Sequence, residues 1–190
     1  VASRAAALAA YDRALRLDGQ DPQVLCLAAA IQLQVAGDLD AANRLIDQAI
    51  AANDGSANSL YWGGWIDVAT GRAARGLERL QASLRLNPRT PHRPFNLAGI
   101  GLCLFALERY GEAAEVLTEA AAQRPNYGIA LAGLAASLAL DGKRTEARLA
   151  AKRLRAAIAS EVYLFVFRDA GQRDRLRDGV ALAESATPAA

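Results

Sequence analysis

Apolar residues recur every three to four positions along most of the chain, in segments separated by short polar stretches. This spacing places an apolar stripe on one face of a helix. Each apolar segment leads into a tight turn, a second segment with charged residues on its surface, and a polar loop with Pro or Asn, where a helix must stop. The pattern predicts first helices near 23–36, 57–70, 95–107 and 128–141, and second helices near 39–52, 73–86, 110–123 and 144–158.

The turn between the two helices recurs with a regular spacing. Gly37, Gly71 and Gly142 begin three copies of it, and Glu108 stands in the glycine's place in a fourth. The successive spacings are 34, 37 and 34 residues. Self-similarity at this period indicates stacked helical hairpins, because one hairpin cannot bury its apolar face alone. The pattern therefore predicts a binding protein rather than an enzyme.

The repeat divides the chain into three parts. Residues 1–158 are predicted to form the repeats, as a half repeat at 1–21 and full repeats at 22–55, 56–90, 91–126 and 127–158. Residues 159–184 break the period and are predicted to form a linker and a capping helix near 170–183, because Asp169 and Gln172 have the spacing of a capping box. Residues 185–190 are predicted to be a disordered tail. The initial half repeat and the absence of a first Met favour a piece of a longer protein.

Large and small residues alternate in a specific order around Glu108. The positions are Leu97, Ile100, Gly101, Leu104, Ala113, Leu117 and Pro125. The small residues stand where the two helices of a hairpin cross, because no bulk fits there. Together with the turns and the period, this order resembles the tetratricopeptide repeat over about residues 1–158. The resemblance implies an all-α fold, a right-handed α-solenoid of stacked antiparallel helix hairpins that ends in a C-terminal capping helix.

Two longer runs carry a narrower resemblance. "LNPRTPHRPFNLAGIGLCLFALERYGEAAEVLTEAAAQRPNY" and "FRDAGQRDRLRDGVALA" are similar to the C-terminal tetratricopeptide region of bacterial class III adenylate/guanylate cyclases and of related winged-helix transcriptional regulators. This resemblance implies a regulatory module of a signalling protein, with a cyclase or DNA-binding domain upstream. A standalone scaffold or adaptor remains the alternative. The segment itself carries no phosphate-binding glycine loop and no GxSxG elbow, so we expect neither an enzyme nor a bound cofactor.

First helices form most of the concave wall of such a solenoid, and their inward positions are the candidate partner groove. Helical spacing selects Leu27, Ile31, Tyr61, Trp65, Leu102 and Phe105. This groove would be apolar and aromatic, so we expect something to cover it: a helix or peptide segment of a partner protein, a second copy of the chain, or its own "VYLFVF" segment at 162–167. Ordinary core packing also explains aromatic residues at helical spacing.

Charged residues give two further candidate sites. Asp67 stands where other repeats have Leu33, Leu104 and Leu138, so it is either an acid that makes a polar contact with a partner or a carboxylate paired with its neighbours. The residues Arg144, Arg148 and Lys152 share one helix face. That face is either a basic docking face or an ordinary solvated surface.

Composition excludes several classes of site. With 22 Lys and Arg against 20 Asp and Glu, the chain has little long-range field, and we expect no direct binding of nucleic acid. Cys26 and Cys103 are far apart and His92 is the only histidine, which argues against a metal site and predicts two buried free thiols in a reducing compartment. No apolar run reaches the ~20 residues that cross a bilayer, and no secretory signal is present. These features favour a cytoplasmic location.

Overall fold

The structure, a computed structural model, describes residues 4–157 and 166–185. Within these ranges the chain forms ten α-helices and no strand. Their bounds are α1 Arg4–Asp18, α2 Pro22–Ile31, α3 Leu39–Ala52, α4 Ala57–Ala69, α5 Ala73–Leu86, α6 Arg93–Ala106, α7 Tyr110–Gln123, α8 Gly128–Leu140, α9 Arg144–Ala157 and α10 Ala170–Ser185. A π-helical turn, Gln32–Ala36, extends α2 to the end that the sequence predicts for the first helix.

Consecutive helices pair as hairpins, and the hairpins stack in sequence order. The pairs α2/α3, α4/α5, α6/α7 and α8/α9 each pack within themselves and then on the next pair. Helix α1 packs on α2 at one end, and α10 packs on α8 and α9 at the other. The predicted stack of hairpins and its closing helix are therefore both present. Residue 158 and the predicted disordered tail beyond Ser185 lie outside the described residues.

Side-chain caps and glycine turns set the helix boundaries. Asp38 accepts a hydrogen bond from the N–H of Ala41 at 2.9 Å, and Asp169 accepts one from the N–H of Gln172 at 2.8 Å. In the three repeat turns that contain glycine, the glycine has φ between 78° and 81°, a left-handed conformation that suits this residue. Glu108, which has the same place in the fourth copy, adopts φ 61°. The turn is thus conserved in shape even where its glycine is replaced.

The small residues of the repeat allow helices to touch. A Cβ atom at Gly101 would overlap the side chain of Leu117, and one at Gly64 would overlap Leu80. Both leucines are fully buried. The close crossing of first and second helices, predicted from the residue order, is therefore observed in two hairpins.

The core has two apolar clusters, and each contains one cysteine. Cys26 lies in the cluster of α2, α3 and α4, whereas Cys103 lies in the larger cluster that runs from Val68 to Ala183. Both thiols are free and buried, as the sequence predicts. Burial raises the pKa of each thiol above its ordinary value, so both are held as the neutral S–H.

The segment before α10 folds back on the stack. Residues 162–165 of the "VYLFVF" run lie outside the described residues, but its last two are described. Phe167 is buried, and its ring stacks on Phe105 with 6.5 Å between centroids. The N–H of Arg168 donates a hydrogen bond to the carbonyl oxygen of Ala69, at the end of α4, at 2.9 Å. The chain therefore covers part of the face that the sequence assigns to the groove.

Candidate functional site

A cavity of about 530 Å³ opens between the first helices of neighbouring hairpins. Most of its walls are aromatic or aliphatic, and we call it the aromatic pocket. Its lining residues are Leu33, Gln34, Tyr61, Trp62, Trp65, Ala69, His92, Phe95, Tyr127, Ile129, Val166 and Arg168.

The aromatic side chains of this pocket form a continuous row. Tyr61 meets Trp62 edge-on at 5.2 Å and stacks on the His92 ring at 5.5 Å between centroids. Phe95 lies 6.2 Å from the His92 ring and meets Tyr127 edge-on at 5.0 Å. These separations are those of favourable aromatic pairs. The row therefore joins three successive hairpins in one apolar surface.

The Trp65 indole packs directly against the backbone of a neighbouring helix. The indole of Trp65 lies against Gly99 on α6, where an added Cβ would stand 3.3 Å from the ring. The indole N–H of Trp65 is buried and meets no hydrogen-bond acceptor in the described part of the chain. Burial raises the pKa of the neighbouring Tyr61 phenol to about 12. Tyr61 therefore stays neutral at any physiological pH.

Two arginine side chains lie beside the aromatic row. The guanidinium of Arg124 lies over the Phe95 ring, 4.9 Å from its centroid, in the geometry of a cation–π contact. Arg168 lines the pocket near the end of α4 and is exposed. Among the lining residues that the structure describes, none is acidic. The pocket thus offers an apolar floor with a weakly positive margin.

A second, smaller cavity of about 220 Å³ adjoins the first, and we call it the polar chamber. Tyr61 and His92 line both cavities, so their stacked rings form the wall between them. The other residues that line the polar chamber are Ala57, Asn58, Ser83, Asn87, Thr90, Pro91 and Asn96. Its walls come from the start of α4, the end of α5, the linker after it and the start of α6.

Comparison with solved structures identifies the fold. PilW, described as a widely conserved type IV pilus biogenesis factor, is similar with a TM-score of 0.70 at 20% identity, over 93% of this chain and 79% of PilW. YrrB, a tetratricopeptide protein, gives 0.63 at 17% identity over 92% and 90% of the two chains. MamA gives 0.64 at 17% identity over 81% and 88%. This chain has the tetratricopeptide-repeat fold. No family model and no curated protein matches the sequence itself.

The tetratricopeptide fold brings only some of the predicted groove residues into the aromatic pocket. Tyr61 and Trp65 line it, half-exposed, on α4. Leu27, 58% exposed, and the half-buried Ile31 lie on α2 outside the pocket.

The prediction that Leu102 and Phe105 line the groove is wrong, because neither side chain has exposed surface. The side chain of Leu102 reaches toward Gly133 of α8, which has no side chain to keep it away. The ring of Phe105 is covered by Phe167. Both belong to the core, since the next hairpin and the returning segment occupy the space in front of them.

Four residues of the aromatic row or its edge are not predicted by helical spacing alone. Trp62 is one position off the predicted stripe, whereas His92, Phe95 and Tyr127 stand in or beside the linkers. The linkers meet because stacked hairpins place the beginnings of successive first helices side by side. A concentration of aromatic residues at those beginnings, in "PHRPF" and "RPNY", is the signal in the sequence.

Asp67 is fully buried and paired, which corrects its assignment as a polar contact for a partner. Its Oδ1 accepts hydrogen bonds from Arg72 Nε at 2.8 Å and from Arg75 Nη2 at 2.7 Å. Its Oδ2 accepts one from Arg79 Nη1 at 2.9 Å. The three arginines compensate the buried charge, so no acceptor is left for a ligand.

The same arginines reach α3. Arg79 also donates to Asp47 Oδ1 at 2.6 Å, and Arg72 donates to the side-chain oxygen of Asn43. The Asp67 cluster therefore joins α3, α4 and α5, and its role in this structure is to hold two hairpins together. Its three arginines are at i, i+3 and i+7: Arg72 immediately precedes α5, and Arg75 and Arg79 follow on the same side of that helix. The sequence contains this spacing.

The remaining charged candidate, the basic face of α9, lies on the surface of the stack. Arg144 and Lys152 are exposed and Arg148 is half-buried on α9, and none of the three makes an ion pair with a described residue. Within 4–157 and 166–185, no three His, Cys, Asp or Glu side chains lie close enough to hold a metal ion. In the same residues, no helix combines the length and the apolar character needed to cross a membrane.

Proposed function

We propose that this segment is a non-catalytic protein-interaction module that holds a short segment of a partner protein in the aromatic pocket. The observation that carries the proposal is the half-exposed row of aromatic rings. Tyr61, Trp65 and Phe95 keep exposed surface, whereas core residues of the same helices, such as Ile66 and Leu102, have none. Aromatic side chains are enriched at the centres of protein interfaces, where they supply large contact areas.

The size of the free surface favours a short occupant. A volume of about 530 Å³ holds one or two large side chains, and lies within the usual range for ligand sites. Beside it the chain's own Val166 and Phe167 occupy the concave face. A long partner helix along the whole face would have to displace them, whereas a short segment need not.

The similar structures support a binding module in general terms. YrrB is described as having an unusual peptide-binding site, and PilW as a biogenesis factor of an assembly. Stacked hairpins expose an extended surface on which a partner can bind without any catalytic group. By this proposal the occupant is a protein segment, with a second copy of the chain as the alternative.

The place of the module in a larger protein is a further part of the proposal. Its support is the sequence resemblance to the C-terminal region of bacterial adenylate/guanylate cyclases, with winged-helix regulators and a standalone adaptor as alternatives. Partner binding would then reorient an attached effector domain in the cytoplasm. The similar structures MamA, YrrB, PilW and the pilF protein are not described as cyclases or winged-helix proteins.

Photo-crosslinking from the pocket tests the proposal. Gln34 is exposed at the pocket and is replaced by benzoylphenylalanine, and the crosslinked peptides from source-cell extract are sequenced by mass spectrometry. We expect one defined segment of one partner, and its loss when Trp65→Ala is added. Light scattering of the same chain, against a monomer mass of 20.0 kDa, detects a second copy as the occupant.

Two controls distinguish binding in the aromatic pocket from nonspecific binding elsewhere on the surface. The same crosslinker at Glu78, exposed on α5 and lining neither cavity, is expected to give no defined segment. Leu149→Ala removes an exposed apolar side chain elsewhere and is expected to leave the crosslink unchanged. Equal products from Gln34 and Glu78, or products that persist in a folded Trp65→Ala chain, contradict the proposal.

A further inference from the structure

The longer linker between α5 and α6 builds a cavity at this point of the stack. The second spacing of the repeat turns, from Gly71 to Glu108, is 37 residues instead of 34, and the added residues fall in the run from Asn87 to His92. Asn87, Thr90, Pro91 and His92 from this run line the polar chamber. The chamber is therefore a feature of one particular hairpin junction.

One buried side-chain oxygen of the chamber has no hydrogen-bond partner among the residues that the structure describes. Asn96 is fully buried, and its Nδ2 donates a hydrogen bond to Ser83 Oγ at 3.1 Å. The Ser83 hydroxyl donates its own hydrogen to the carbonyl oxygen of Ala57 at 2.8 Å, so it can only accept from Asn96. This chain of bonds fixes the orientation of the amide. The Asn96 Oδ1 is consequently an acceptor to which no group in 4–157 or 166–185 donates a hydrogen bond.

A buried acceptor without a donor is unfavourable, and a ligand that supplies the donor gains that free energy. The chamber's lining also contains Asn58, Asn87 and Thr90, which can donate or accept hydrogen bonds, and none of its described lining residues is acidic. An amide or hydroxyl suits this environment better than an ammonium group, because no carboxylate is present to balance a positive charge. The chamber is therefore suited to a neutral polar side chain.

The two cavities are close enough for one ligand to occupy both. Tyr61 and His92, whose rings stack at 5.5 Å between centroids, line both of them. Successive side chains of an extended segment point to opposite sides, and two of its residues span about 7 Å. Nearby side chains of one extended segment can therefore reach the two sides of this shared wall.

We propose that the aromatic pocket and the polar chamber form one composite peptide site. It binds an extended segment with a large apolar side chain in the pocket and, within two residues, an amide or hydroxyl side chain that donates to Asn96 Oδ1. This inference rests on the proposed function and adds the chemistry of the partner. The donor requirement is the part that distinguishes it from binding by apolar contact alone.

Selection of displayed random ten-residue peptides tests the inference. The bait is the full 190-residue chain, in parallel with Asn96→Leu, Trp65→Ala and Gln48→Leu, the last an exposed amide on α3 that serves as a matched control. We expect wild type and Gln48→Leu to enrich peptides with a large apolar residue and, within two positions, Asn, Gln, Ser or Thr. We expect Asn96→Leu to keep the apolar residue and lose the polar preference, and Trp65→Ala to enrich neither.

Affinity measurements on one selected peptide complete the test. Replacing its polar residue by an apolar residue of similar shape is expected to weaken binding to wild type about tenfold and to leave binding to Asn96→Leu unchanged. The peptide change alone is decisive even if Asn96→Leu folds poorly. Equal affinity of the two peptides for wild type overturns the composite site but leaves the proposed function standing. Enrichment of no peptide by wild type, or of the same peptides by folded Trp65→Ala, overturns both.

Discussion

Glu108 shows at the scale of one residue how the repeat fixes backbone shape. In residues 4–157 and 166–185 it is the one non-glycine residue with positive φ, at 61°, and its carboxylate pairs with Arg175 of α10 at 3.1 Å. The sequence predicts the turn from the three glycine copies, since packing of the two flanking helices leaves no other path. The ion pair with a residue 67 positions away has no comparable local signal.

Glu108→Gly is expected to stabilise the chain. A non-glycine residue in the left-handed region costs about 1–2 kcal/mol, whereas the exposed pair with Arg175 contributes about 0–1 kcal/mol and glycine's freedom in the unfolded chain offsets part of the gain. The free energy of unfolding from urea titration should rise by about 0.5–1 kcal/mol. Gly142→Ala, at φ 81°, should lower it. A decrease for Glu108→Gly would show that the ion pair outweighs the strain.

Asp67 illustrates a residue whose exceptional place is visible in the sequence but whose partners decide its role. A carboxylate at a leucine position indicates either a site or a buried ion pair. In the structure, three arginines at the start of α5 donate hydrogen bonds to Asp67. Their spacing places them on one side of the helix, but the sequence alone does not show that Asp67 is their partner.

Asp67→Asn is expected to lower the free energy of unfolding by about 2–3 kcal/mol. Removing one partner of a buried ion pair costs about 3–5 kcal/mol, but the exposed arginines can turn to water, and only Arg79, 13% exposed, is largely confined. Urea titration measures the change. Asp47→Asn is the matched control: its side chain is 45% exposed, so it should lose less than about 1 kcal/mol. Equal losses for the two variants would contradict the central role of Asp67.

At the scale of elements, many helix positions follow from the repeated turns and the polar linkers, and α4, α5, α7 and α8 begin where the pattern predicts. Ser56 caps α4 with its side chain, whereas α5, α7 and α8 begin without a side-chain cap, directly after a repeat turn or a linker. The capping box before α10 is only half formed. Asp169 accepts a hydrogen bond from the Gln172 N–H, but the buried Oε1 of Gln172 accepts none from any residue that the structure describes. Tertiary contacts of α10 with α8 and α9 therefore hold this helix more than its cap does.

Phe167→Ala is expected to weaken the attachment of α10 and to lower the free energy of unfolding by about 3 kcal/mol or more. Its ring is buried against Phe105, and truncation of a buried phenylalanine costs about 3–5 kcal/mol. Native-state hydrogen exchange should show protection lost first in α10 and retained in α4 and α5. Leu182→Ala, at a side chain 45% exposed on the same helix, should leave exchange nearly unchanged. Uniform loss of protection would show that α10 is no separate cap.

At the scale of the whole molecule, the aromatic pocket exists only because hairpins stack. Tyr61, His92, Phe95 and Tyr127 come from three repeats, and their approach depends on the angle and distance between hairpins. Helical spacing predicts which residues of one helix face inward, but it contains no information about what the next hairpin or the returning segment covers. For this reason Leu102 and Phe105 are core residues although their positions resemble those of Trp65.

The two-cluster core predicts that the stack opens in parts. Cys26 belongs to the small terminal cluster and Cys103 to the large one, and repeats contact only their neighbours, so the end of the array should open at lower free energy. Because burial raises both thiol pKa values, alkylation requires opening. Iodoacetamide labelling in increasing urea, read by peptide mass spectrometry, should modify Cys26 at a lower concentration than Cys103. As a control, the midpoint of Cys26 labelling in the Cys103→Ala chain should still lie below that of Cys103 labelling in the Cys26→Ala chain. Coincident midpoints would instead mean that both clusters unfold as one cooperative unit.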